Sequence, residues 1–239
     1  MIQRTTVLAA LAAAVLGLAT RAGTAEPDKK ATPADQAKAK RALQEVQDFI
    51  GLWNLEGTQK VGAKTEAWKE KVSWGWKFKD GNPSITVSFA EGKGKFYTGG
   101  ELGYDVEKKK YVLTLDPAGK GEAKQEFVGT VSSGTLKLER KDAKTGDVYR
   151  LTLNTLSDGV RFSFKSDKQD GGKGPFSSAY KMEGNKDGES IAGGGPKKPE
   201  CVVSGGAATI PVSYNGKTYY VCCSGCRDEF NANPAKYAK

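Results

Sequence analysis

The sequence contains no histidine. That absence excludes Ser-His-Asp triads, Cys-His dyads, His-ligated zinc and axial-His haem. Its 4 cysteines all lie after residue 200, so thiol chemistry belongs to the C-terminal stretch alone. Long apolar runs are also scarce. The first, Val7 to Ala19, falls short of the roughly 20 residues that a membrane helix needs, and no second run of spanning length follows. No arginine pair precedes that run and no cysteine follows it, which argues against a twin-arginine address and a lipid anchor. No pair of carboxylates stands out as a glycosidase couple. Gly92-Lys93-Gly94 and Gly171-Gly172-Lys173-Gly174 lack the spacing of a phosphate loop and read as turns. No tuned catalytic constellation is left, so the expectation is a protein that is not an enzyme.

What is present is a chain of 239 residues, 38% of them hydrophobic, enough for one large domain or two ordinary ones. The 30 glycines favour turns over long helices. Residues 1–25 carry Arg4, the apolar run, and small residues at Gly23 and Ala25 spaced like a cleavage site. They predict a secretory signal peptide cut after Ala25, with an uncleaved anchor as the alternative. The expected location is therefore periplasmic or secreted, with no stable membrane insertion once the signal is gone. The formal charge of +9 is spread thinly, and Lys108-Lys109-Lys110 sits in a probable turn as solvated, edge-protecting charge. No nucleic-acid reading motif accompanies it, so no nucleic-acid partner is expected. Protein partners cannot be named from the residues.

Residues 26–50 form a polar tether and one helix. Thr32 is the expected N-cap, with Pro33 at the first helical position and Asp35 at the third. Leu43, Val46 and Ile50 recur at helical spacing and predict about four turns ending near Gly51. From Trp53 to Met182 the period becomes two. Val72, Trp74, Trp76 and Phe78 alternate with polar or small residues, as do Ile85, Val87 and Phe89, and Val160, Phe162 and Phe164. Tight turn signals separate these runs, among them Asp80-Gly81-Asn82-Pro83 and Asp116-Pro117-Ala118-Gly119. Eight to ten consecutive strands with one apolar face predict an up-and-down antiparallel barrel over residues 51–183. Its interior is either filled by side chains or holds one small apolar ligand.

Gly51-Leu52-Trp53, at the close of the helix and the start of the first strand, resembles the lipocalin-like, or calycin, barrels. That resemblance implies a Trp at the barrel floor beneath a basic residue of the last strand. With the last strand expected over Phe176 to Met182, the candidate is Lys181. It also implies that the barrel can carry a small apolar ligand.

Residues 184–199 are rich in Gly and nearly free of apolar side chains, the composition of a flexible linker. Residues 200–239 form a small cysteine module. Asn215-Gly216 between Val212-Ser213-Tyr214 and Lys217 to Val221 predicts a β-hairpin with a type I′ turn. The second strand delivers Cys222 and Cys223. Ser224 then caps a short helix with Asp228 and Glu229 in its first turn, and Cys226 there has its thiolate stabilised by the helix dipole. Phe230 and Tyr237 can pack that helix on the hairpin. A module of about forty residues has too little apolar area to fold well alone, so a metal or disulfides should help it.

The spacing Cys201-x20-Cys222-x3-Cys226, the run Asn215 to Tyr220, and the ending Phe230, Pro234, Tyr237 resemble the TRASH/YHS group of small metal-binding domains. The departure is Val202, where many members have Pro. The resemblance implies that Cys201, Cys222 and Cys226 ligate a metal ion, zinc or copper(I), with Cys223 as an extra thiol at the site. Two alternatives remain at this level. One is that the cysteines pair as structural disulfides, leaving the barrel as an apolar-ligand carrier. The other is that Cys223-Ser224-Gly225-Cys226 acts as a redox dithiol. The chain is thus expected to be mainly β: one helix, a lipocalin-like barrel, and a hairpin–helix metal module.

Overall fold

The computed structural model describes residues 31–157, 159–189 and 198–238. The expected signal peptide lies outside the described residues, as does half of the expected linker, residues 190–197. No helix among the described residues is long and apolar enough to cross a membrane.

Helix α1 spans Pro33–Gln44, and a single 3-10 turn follows at Gln47–Phe49. The Thr32 hydroxyl accepts the Asp35 N–H and Pro33 occupies the first turn, which is the N-cap arrangement expected from the sequence. The helix is shorter than its apolar spacing suggests. After Gln44 the chain tightens so that Val46, Phe49 and Ile50 turn into the barrel end and are buried there.

Ten antiparallel strands follow: β1 Gly51–Val61, β2 Lys64–Lys79, β3 Asn82–Phe89, β4 Tyr97–Asp105, β5 Lys110–Pro117, β6 Gln125–Ser132, β7 Thr135–Lys141, β8 Val148–Leu156, β9 Arg161–Gln169 and β10 Ser177–Lys186. Each pairs with its sequence neighbours, and β10 returns to β1 to close the barrel. Closure gives every barrel strand two neighbours, so no strand is an edge strand along its whole length. The period-two residues supply the interior. Leu55, Val72, Ile85, Leu102, Leu113, Phe127, Leu136, Leu138, Leu151, Leu153, Phe162, Phe164 and Met182 are all buried in one core.

The floor is aromatic. The Trp53 indole donates to the Phe49 carbonyl oxygen at 2.8 Å, and its ring lies 5.1 Å from that of Phe162. Phe49 in turn meets Phe162 edge-on at 5.2 Å. A basic residue does cover Trp53, but it is Lys186, not Lys181. The Lys186 ammonium stands 5.0 Å above the Trp53 ring, whereas Lys181 reaches Glu183 on the barrel's outside. The reason is strand length. β10 runs on through Gly184, Asn185 and Lys186, and the register sets Trp53 opposite Lys186. The first three residues of the expected linker therefore belong to the barrel. Gly51 is explained by the same contact: its φ is +133°, and a Cβ there would lie 2.7 Å from the Lys186 Cε.

Two turns on the outside are pinned by one carboxylate. Asp147 accepts the Gly171 N–H at 2.7 Å and pairs with Lys168 at 2.9 Å. The backbone donor first, then Lys168, hold its pKa down at about 2, against an ordinary value of 3.8. A depressed carboxylate stabilises the fold above its unfolded pKa and loses that effect as pH falls through its folded one. Asp147→Asn should therefore melt below the parent at neutral pH, with the gap closing between about pH 4 and pH 2. Thermal melts of both proteins across that range check this.

Candidate metal centre

The C-terminal module begins with a knuckle. The Cys201 carbonyl accepts the Gly205 N–H at 2.8 Å, and the Cys201 N–H reaches the Gly206 carbonyl at 2.7 Å. Strands β11 (Ile210–Tyr214) and β12 (Lys217–Val221) then form the expected hairpin. Its turn has φ of +49° at Asn215 and +74° at Gly216, the two positive values that a type I′ turn requires. Helix α2 (Ser224–Ala232) and the single turn α3 (Pro234–Tyr237) close the module. Phe230 is buried with its ring 5.5 Å from that of Tyr219, and the Tyr237 hydroxyl donates to Glu229 at 2.6 Å. The N-cap position of α2 is held by Cys223, one residue before the expected Ser224, and no acidic residue falls in its first turn.

This path brings three sulfurs together. The Sγ atoms of Cys201, Cys222 and Cys226 all lie within 4.8 Å of one another. Cys201 and Cys226 are buried and Cys222 is half-buried. All four cysteines are free thiols, and Cys222 and Cys226 stand 3.6 Å apart, far beyond the roughly 2.05 Å of a disulfide. Thiolate–metal bonds of about 2.3 Å put the sulfurs of a shared ion about 3.8–4.0 Å apart, so the group fits a metal with little movement. Cys223 stands beside the triad, not within it. Its Sγ is 3.9 Å from that of Cys222 and accepts the Trp76 backbone N–H at 3.3 Å.

The thiols also share protons. The Cys222 and Cys226 thiols beside it, together with the Ser204 N–H that donates to its Sγ at 3.4 Å, hold the Cys201 thiol well below its ordinary pKa. Cys226 is pushed the other way, chiefly by the Cys201 sulfur beside it. Two lysines flank the sulfurs. Burial lowers the pKa of both, while Cys226 and Cys201 pull that of Lys40 up and Cys222 pulls that of Lys186 up. Their charge favours thiolates over thiols.

The module does not stand apart from the barrel. Strand β1 begins opposite Trp74, so β2 overhangs its neighbour from Gly75 onward. The overhang leaves backbone groups without a β1 partner, and the start of α2 covers them. Gly225 lies so close that a Cβ there would sit 1.6 Å from the Trp76 carbonyl oxygen. On the other side, α1 grips the knuckle: Lys40 donates to the Val203 carbonyl and Gln44 to that of Ser204, the latter at 2.6 Å. A cavity of about 30 Å³, room for about one water, lies beside Cys222 between Gln47, Trp76, Lys186 and Ser204. Sequence reasoning missed Lys40, Gln44 and Lys186 because they reach the site from segments outside the cysteine module, and nothing in the local pattern marks them.

The cysteine arrangement decides the comparison with known families. Residues 203–239 match the YHS domain. The matched stretch starts just after Cys201, so it is the geometry that adds this third sulfur to the YHS module. No curated protein matches the chain. Among solved structures, the crystal structure of Rv2717c from M. tuberculosis aligns with 61% of this chain and 97% of that one, at 18% identity and a TM-score of 0.42. The YHS match and the cysteine cluster are together compatible with metal binding.

Proposed function

We propose that the protein binds copper(I) or zinc as a thiolate complex of Cys201, Cys222 and Cys226, in an exported compartment and without catalysing a reaction. The observation that carries this reading is the convergence of three sulfurs, from both ends of the YHS module, within 4.8 Å. Thiolates are the ligands that soft and borderline metals take. Of the two ions, copper(I) suits the site as it stands, because three sulfurs complete a trigonal shell. Zinc needs a fourth ligand. Cys223, whose Sγ lies 3.9 Å from that of Cys222, can supply one by moving closer, since a metal-bound thiolate can keep the Trp76 N–H bond.

Reduced protein should take up one metal ion and release protons as it does so. Cys201→Ser, Cys222→Ser and Cys226→Ser should each weaken binding at least tenfold. Cys223→Ser should leave copper(I) affinity nearly unchanged and weaken zinc more. Competition against chromophoric chelators measures all of these, and no uptake by reduced protein sinks the reading. The exported location rests on residues 1–25. Intact mass of the protein recovered from the periplasm or medium should begin at Glu26; a soluble cytoplasmic protein that keeps Met1 defeats it.

A further inference from the structure

At the end of the barrel opposite α1 the inward alternation continues, but the residue type changes. Gln59, Tyr97, Gln125, Arg140, Ser166 and Tyr180 take over from the Leu and Phe of the core and line a cavity of about 510 Å³. Two donors in this ring are buried without a well-formed hydrogen bond among the described residues, although the Tyr97 and Ser166 hydroxyls stand beside the first. One is the hydroxyl of Tyr180, a residue only 7% exposed; the other is the Nε of Arg140. Arg140 is otherwise fixed. Its NH1 meets Asp142 at 3.4 Å, and its guanidinium lies 4.6 Å from the Tyr149 ring centre. Tyr180 is fixed as well, with its ring stacked on Phe96 at 4.1 Å. Burial raises the pKa of both Tyr97 and Tyr180, so both phenols keep their protons at neutral pH and remain donors. Buried donors without acceptors are unfavourable, and most folds avoid them. Here two are held rigidly at the wall of one cavity.

The charge around them selects the ligand. Lys60 and Lys95 also line the cavity, with Lys95 already paired to Glu66 at 3.2 Å. Glu122 at the rim and Asp142 on the guanidinium offset much of that positive charge, which favours a monoanion over a doubly charged phosphate. Phe96 and Pro117 give the cavity an apolar wall, while the packed core below closes it to a long chain.

We propose that this end of the barrel binds a small organic monocarboxylate, with the carboxylate on the Arg140 Nε and the Tyr180 hydroxyl and the apolar body against Phe96 and Pro117. The site shares no residue with the cysteine cluster, so it stands or falls independently of metal binding.

Calorimetric titration of the full chain with benzoate and octanoate tests it, with benzyl alcohol and octanol as neutral counterparts. One carboxylate per chain should bind, and each alcohol should bind at least tenfold more weakly. Tyr180→Phe keeps the stacked ring and removes one donor, so it should weaken carboxylate binding severalfold without lowering the melting temperature. Arg140→Met should weaken it tenfold or more. Where Arg140→Met fails to fold, Tyr180→Phe decides. Cys226→Ser should bind the carboxylates as the parent does. The proposal is overturned if neither carboxylate saturates, if the alcohols bind equally well, or if Tyr180→Phe leaves carboxylate affinity unchanged.

Discussion

Trp53→Ala is expected to lower the stability of the protein by about 3–5 kcal/mol, the cost of removing a large buried aromatic. Trp53 is fully buried, and three separate elements lean on it. Its indole holds the 3-10 turn through the Phe49 carbonyl, its ring packs on Phe162 of β9, and the Lys186 ammonium of β10 rests over its face. Alanine therefore opens a cavity, leaves the Phe49 carbonyl without that donor, and removes the aromatic face from Lys186. Trp53→Phe separates these effects. It keeps a ring over which Lys186 can lie but drops the indole N–H, so it should fall between parent and alanine. Denaturant melts measure all three proteins. An alanine variant as stable as the parent would remove Trp53 from the supporting core.

Much of this architecture is legible in the chain because local rules and the global fold agree. Runs such as Val72, Trp74 and Trp76 alternate cleanly since β2 has the core on one side only. Asn215-Gly216 announces its hairpin because few other residues tolerate those two φ values. Legibility fails where a residue acts across the fold. Gly184-Asn185-Lys186-Asp187-Gly188 has the composition of a linker, yet β10 runs on through its first three residues, because pairing with β1 outweighs low strand propensity. Trp68 fits no apolar alternation by itself. Its ring lies over Gly57, where a Cβ would be 2.1 Å from the indole, and its N–H reaches the buried Glu70 at 2.8 Å. Glu70 breaks the apolar pattern of β2 while facing inward, and Arg140 does the same on β7. In sequence both look like solvated charge, and only barrel closure turns them into a polar inner ring.

The same limit applies to the module. Its composition and the Gly-rich stretch before it predict an independent unit, which alone should hold metal about as well as the full chain. The structure instead braces the Cys201 knuckle with Lys40 and Gln44 of α1 and ties Cys223 to the β2 overhang. A backbone edge carries no side-chain signal, which is why this contact cannot be read from residue type.

Gly225→Val is therefore expected to separate the module from the barrel while leaving every cysteine in place. The site has no slack. Even a Cβ would stand 1.6 Å from the Trp76 carbonyl oxygen and 2.6 Å from its carbon, and both are backbone atoms of a paired strand that cannot swing aside. Overpacking in a well-packed site typically costs about 1–3 kcal/mol, and a backbone clash of this depth belongs at or above the upper end. The cheaper response is for α2 to lift off β2. Lifting breaks the Trp76 N–H bond to Cys223 and strains the hold of Lys40 and Gln44 on the knuckle. Amide exchange should then rise at Trp76 and its neighbours on β2 and through α2, while the core strands β7 to β9 stay protected. Metal affinity should fall less than in Cys226→Ser, since all three sulfurs survive and an ion can still draw them together. Gly225→Ala, with the smaller clash, should show the same pattern in weaker form. Unchanged exchange in the valine variant would mean that the overhang of β2 does not hold the module.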